Sequence, residues 1–255
     1  MLFRSGRRTF SILVFSALLT RESNSPQSFK VVLSTTSADL WVTGPNCTAC
    51  SQDAPSFNDD ASSTFEIARN SSGLPIRVTL SYGNGTASVA GDLVRDTVAM
   101  GGFQVPLQPW LRADQIPSYY VDREYSGIFG LAFEIIASTG AVPFWQTLAD
   151  SGQLTTPEMS FWFTRFVGDQ NAQEEEFGGI FTLGGQNKTL YTGDVEFLPL
   201  VTIEGRKAYW ILNVSGVYLI RPCLVLGYSS PTRFNLRDQS QWKEHRHSAW
   251  WHCCR

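Results

Sequence analysis

No histidine precedes residue 245 in this chain of 255 residues. A serine or cysteine nucleophile needs an oriented base, usually histidine, so the body of the chain lacks the parts of a Ser-His or Cys-His hydrolase. Lysine is equally scarce, with four in the whole chain. Residues 23–220 carry 10 Lys and Arg against 20 Asp and Glu, while the two ends carry the other 10 bases and only 3 acids. An acidic middle without clustered cations offers no face for phosphate, which excludes nucleic acid as a partner and suits work at low pH outside the cell. The apolar run at residues 9–19, behind a basic stretch, falls short of the roughly 20 residues of a transmembrane helix and has the length of a secretory h-region. No small-residue cleavage site follows it, and its plain alternative is a short buried strand. No membrane span and no cofactor are expected.

What is present is β-forming sequence. The composition, 43% hydrophobic and 13% aromatic, is ample for a packed core. From residue 29 to 219, short β-branched or aromatic runs such as Ile76-Arg77-Val78-Thr79-Leu80 alternate with Gly, Asn, Asp and Pro, the pattern of a β-rich fold. Helical signals are few. The best runs from Pro143 to Gly152, with proline at a helix start and glycine at its end. Tyr82-Gly83-Asn84-Gly85 separates two strand-like runs and is a tight hairpin turn, Asn-Gly supplying the positive φ angles. The charged stretch 169–176 is an exposed loop. Five tripeptides fit the Asn-X-Ser/Thr glycosylation pattern, at Asn46, Asn70, Asn84, Asn187 and Asn213. Cys47 and Cys50 are spaced for either a small disulfide or half a zinc site, and zinc would need a second ligand pair. His245, His247, His252, Cys253 and Cys254 offer a weak one, and no metal is expected.

Residues 33–42, Leu33-Ser34-Thr35-Thr36-Ser37-Ala38-Asp39-Leu40-Trp41-Val42, resemble the first active-site segment of the pepsin-like aspartic endopeptidases, with Ser34 in place of the catalytic aspartate and Thr36 in place of the glycine. The Tyr82-Gly83 hairpin resembles the flap of that family, whose tyrosine hydrogen-bonds toward the tryptophan here numbered Trp41. Ser126-Gly127-Ile128-Phe129-Gly130-Leu131 resembles the strand beneath the first active-site loop, and further matches run in family order through residues 26–219. The resemblance implies a mostly β acid-protease fold with an N-terminal lobe at 26–165 and a partial, truncated C-terminal lobe at 166–219. Residues 1–25 would be a signal-like or wrongly joined start, and 220–255 a disordered basic tail. It further implies a polypeptide substrate or ligand, a Cys47–Cys50 disulfide, and Tyr82, Gly83 and Trp41 as flap and substrate-binding residues.

These enzymes use two facing carboxylates that share a proton and activate a water. A serine hydroxyl holds no such charge. The second Asp-Thr/Ser-Gly is expected soon after residues 209–219, and none follows there. The chain is therefore expected to be an inactive member of an aspartic-type endopeptidase family, secreted, monomeric, and prone to aggregate if its second lobe is incomplete. Two alternatives remain open: a pseudoprotease that binds peptide or protein without cutting, and an active secreted enzyme with wrongly joined ends.

Overall fold

A computed structural model describes residues 13–19, 26–47, 50, 54–118, 125–164, 178–220 and 223–228. The charged stretch 169–176 and the His/Trp-rich tail beyond 228 lie outside these residues. The chain divides into two compact units, residues 1–186 and 187–255.

The first unit is built on one eight-stranded sheet. Its strands are β1 (Leu13–Leu19), β2 (Gln27–Ser34), β3 (Trp41–Thr43), β4 (Glu66–Ile67), β5 (Arg77–Tyr82), β6 (Ala87–Met100), β7 (Phe103–Gln115) and β8 (Gly127–Gly130). The order is β1-β2-β8-β3-β7-β6-β4, with β5 also on β6, and β1 returns to pair with β6 through Leu18 and Leu19. Six strands thus close into a ring, which leaves few open edges. The apolar run considered as an h-region supplies β1, antiparallel to β2.

Alternation explains β2. Phe29, Val31 and Leu33 are buried while Ser28 and Lys30 face outward, the period of two that a half-buried strand requires. The long β6–β7 hairpin turns at Gly101-Gly102, with φ of 60° and 88°, the pair of positive angles that a two-residue turn demands. Prolines 106 and 109 lie in β7. The helix expected at 143–152 forms as α1 (Phe144–Asp150), entered from Pro143 and left through Gly152 at φ 69°. It buries Phe144 and Leu148, one turn apart, and Phe144 meets Phe129 edge-on at 5.3 Å. Phe57 meets Trp110 in the same manner at 4.9 Å, so aromatic rings form the centre of the larger core. Asp96, fully buried beside it, is satisfied by Ser62 Oγ at 2.8 Å, Thr64 Oγ1 at 2.5 Å and its neighbour Thr97 N at 2.7 Å. A small antiparallel pair, β9 (Met159–Phe163) and β10 (Gly179–Leu183), belongs to this unit and straddles residue 165.

The second unit holds the antiparallel pair β11 (Val214–Ile220) and β12 (Cys223–Tyr228) and isolated bridges Leu200–Leu212 and Ile203–Arg206. Phe197, Ile203, Trp210, Ile211 and Leu212 are exposed in it. The mostly β architecture expected from the strand pattern is the one found. Among the described residues no helix is long and apolar enough to cross a membrane.

Candidate functional site

Ser34 ends β2, where the parallel partner β8 sets it opposite Gly130. The loop that follows is laced to the chain after β8: Leu131 N donates to Ser34 O at 2.8 Å and Ala132 N to Ser37 O at 2.9 Å. Close approach is possible because residue 130 has no side chain; a Cβ there would overlap the Ala38 carbonyl and stand 2.6 Å from Asp39 N. Gly127 is held in the same way against the backbone of Trp41 and Val42. The glycines of the 127–130 segment are what let β2, β3 and β8 meet beneath this loop.

The loop presents hydroxyls. Ser34 Oγ and Thr36 Oγ1 lie 3.3 Å apart and share a hydrogen bond. Ser37 Oγ is buried and has no hydrogen-bond partner among the described residues. The one carboxylate of the segment, Asp39, is committed elsewhere: it is buried and accepts from Ser138 N at 2.9 Å, Thr139 N at 3.1 Å and Thr139 Oγ1 at 2.5 Å. Through these three hydrogen bonds it ties the loop to residues 138–139. Asp39 and Ser37 escaped the sequence reading. A lone acid between buried Ala38 and Leu40 was the available signal, because such a group needs donors. The one Asp-Ser-Gly of the chain, Asp150-Ser151-Gly152, closes α1: Asp150 is its exposed last residue, and Ser151 N bonds back to Thr147 O at 3.0 Å as its cap.

Over β3 stands the β5–β6 hairpin. Trp41, 1% exposed, donates from Nε1 to Tyr82 Oη at 3.0 Å. Both rings pack with Leu80, Val89, Leu111 and Ile128 in a second core cluster, so the end of the hairpin next to its turn is anchored by packing and by a hydrogen bond. The turn itself has Gly83, Asn84 and Gly85 at φ of 57°, 56° and 84°, and Thr86 Oγ1 donates to Gly83 O at 2.8 Å. Its residues 83–86 are exposed. The structure therefore brings Trp41 and Tyr82 together, with Gly83 following in the exposed turn. Cys47 and Cys50 form a disulfide just after β3, and among the described residues no group of three His, Cys, Asp or Glu could hold a metal.

An ion-pair chain braces the outer side of these strands. Arg77 on β5 pairs with Asp114 and with Asp92 at 3.4 Å, and Arg112 on β7 pairs with Asp92 at 2.8 Å and with Asp59. The Arg112 guanidinium also lies 5.6 Å above the Phe65 ring. Burial pushes the Asp59 carboxyl above its ordinary value, the Arg112 cation opposes that, and the like charges of Asp60 and Asp92 add to it. Asp59 Oδ1 is buried without a hydrogen-bond partner among the described residues, which is the desolvation at work. The folded state thus holds the Asp59 proton more tightly than the unfolded chain does. Its contribution to stability is fully present below about pH 3.8, the unfolded value, and is lost as pH rises through the folded value. Urea unfolding is expected to show the parent gaining on Asp59→Asn as the pH is lowered toward that value; a parent that instead gains as pH rises would contradict the assignment.

Comparison with known proteins agrees with this geometry. The family described as Eukaryotic aspartyl protease matches residues 23–223. The chain is similar to Major aspartyl peptidase 1 of Cryptococcus neoformans var. grubii, at 38% identity over 196 residues, 76% of this chain and 38% of that protein. It is similar to Vacuolar protease A of Arthroderma otae, at 32% over 76% of this chain and 45% of the relative. Aspartic proteinase A1 of Arabidopsis thaliana matches at 31% over 76% and 35% respectively. The chain spans less than half the length of each of these relatives.

Proposed function

The chain belongs to the eukaryotic aspartyl protease family, and within it we propose a member that holds polypeptide beneath the Tyr82 hairpin without hydrolysing it. The observation that carries the reading is Ser34, whose Oγ bonds to Thr36 Oγ1 where the family resemblance puts a catalytic carboxylate. A hydroxyl pair does not ionise at acid or neutral pH, so it can donate and accept hydrogen bonds but cannot take a proton from water and return it to a leaving amine. Asp39, spent on Ser138 and Thr139, supplies no substitute. An extended peptide would be held through backbone hydrogen bonds and side-chain packing, as in other strand-recognition modes.

In this reading the protein works in an extracellular, oxidising compartment, consistent with its disulfide. It acts as a monomer that aggregates as concentration rises, through exposed apolar side chains such as Phe197, Ile203 and Trp210. The test is peptide binding by the chain refolded from a bacterial host, so that no glycan is present. Saturable binding of an unfolded polypeptide is expected, weakened about tenfold or more by Tyr82→Ala. Binding unchanged by Tyr82→Ala, with Tyr82→Phe as the variant that keeps the ring, would remove the hairpin from the site.

A further inference from the structure

We infer that Asn84, at the apex of the hairpin, carries an N-linked glycan that restricts entry of polypeptide beneath it; the second half of this statement rests on the peptide-binding reading above. The five Asn-X-Ser/Thr tripeptides are not equivalent in the structure. Asn70 is fixed by its own loop, its Oδ1 accepting from Ser72 N at 2.9 Å and Leu74 N at 3.0 Å. Asn187 is half-buried and its Oδ1 accepts from Thr189 N at 3.1 Å and Thr189 Oγ1 at 2.7 Å, inside its own tripeptide. Asn46 adjoins Cys47, which is bonded to Cys50. Asn46, Asn70 and Asn213 are exposed as well, and what sets Asn84 apart is its place in the hairpin turn. It is exposed, it lies in a four-residue turn whose other members are exposed too, and its amide makes no hydrogen bond among the described residues. The turn is stabilised by other groups, Gly85 N to Tyr82 O at 3.1 Å and Thr86 Oγ1 to Gly83 O at 2.8 Å, so a substituent on Asn84 disturbs no bond that holds it.

A second observation concerns the compartment. The Cys47–Cys50 disulfide forms where the environment is oxidising, the same compartment in which oligosaccharide is transferred to asparagine. In that transfer the Asn84 amide nitrogen attacks C1 of a polyprenyl-diphosphate-linked oligosaccharide. An N–C1 bond forms, the C1–O bond to diphosphate breaks, the amide loses one proton, and the polyprenyl diphosphate leaves.

Asn84 is two residues beyond Tyr82, whose Oη is bonded to Trp41 Nε1, so the modified residue tops the hairpin just past the point where it is anchored to β3. A branched hydrophilic group there narrows the approach for any chain that must pass under the turn, and Gly83 and Gly85 on either side give no bulk to hold it away.

The experiment is to secrete the full chain from yeast behind a cleavable leader and release N-glycans enzymatically in heavy-oxygen water, so that occupied asparagines become mass-labelled. The tryptic peptide spanning residues 78–95 is expected to carry the label at position 84 only when the glycan-releasing enzyme is present, because Asn84-Gly85 also takes up water by spontaneous deamidation. Recovery of that peptide unlabelled, while another of the five positions is labelled, would overturn the assignment. Binding of the same unfolded polypeptide is then compared between the glycosylated chain and the Asn84→Gln and Thr86→Ala variants, which lose the acceptor by independent routes. Both variants are expected to bind about tenfold tighter; equal affinity in all three would overturn the gating role. A labelled position 84 with no binding by any form would uphold the glycan and contradict the peptide-binding reading instead.

Discussion

Alanine at Gly130 is expected to destabilise the first unit by about 3 kcal/mol, the upper end of what a methyl forced into packed surroundings costs. The atoms it meets are backbone: the Ala38 carbonyl, which it would overlap, and Asp39 N at 2.6 Å. A flexible side chain could swing aside, but these atoms are held by the parallel pairing of β2 with β8 and by the hydrogen bonds from Leu131 to Ser34 and Ala132 to Ser37. Relief requires β8 to move away from the Ser34 loop as a whole. Urea denaturation reads the effect as a lowered midpoint at unchanged slope. A Gly130→Ala variant within about 0.5 kcal/mol of the parent, the range of an ordinary surface change, would mean that loop and strand are not packed as described.

The second large effect is expected at Arg112. Its side chain is 11% exposed and bridges Asp59 and Asp92, themselves 26% and 15% exposed. Arg112→Met keeps most of the stem that lies by Phe65 but removes the cation. Two partly buried carboxylates are then left close together, Asp92 with Arg77 still near and Asp59 with no other ion-pair partner among the described residues. Removing one partner of such a pair costs about 3 kcal/mol, mostly as the penalty of the charge left behind. If that is the cause, adding Asp59→Asn to Arg112→Met recovers part of the loss, a coupling that a double-mutant cycle measures directly. No loss on Arg112→Met, or a loss that Asp59→Asn leaves untouched, would show that the bridge contributes little.

Much of the site was legible because its signals are local. Tyr82-Gly83-Asn84-Gly85 carries its turn geometry in its own residues, and the structure gives the positive φ angles at 83–85 that it demands. The helix at 144–150 was marked by proline and glycine at its two ends. Strands were harder. Gly91 reads as a break between two strands, yet β6 runs through it with a register shift, the glycine being the point where the backbone of Arg112 comes too close for any side chain. Residues 103–115 form a strand although Pro106 and Pro109 argue against one; the register shift between Asp96 and Val98 and the positive φ of Leu107, 50°, absorb the disturbance. Asp39 could not be paired from sequence, since its donors Ser138 and Thr139 lie about a hundred residues away and only the fold brings them near. The same holds for the Arg112 bridge, whose partners come from the Asp59–Ala61 3₁₀ turn and from β6.

The absence of a carboxylate at position 34 is tested most directly by incubating the purified, homogeneous chain with a denatured protein at acid pH, with and without pepstatin, and following fragments by mass spectrometry. Loss of a positioned acid–base group alone lowers a rate by about 10²–10⁴, so no pepstatin-sensitive fragments are expected above the buffer control. Pepstatin-sensitive cleavage that co-purifies with the chain through successive columns would contradict the account.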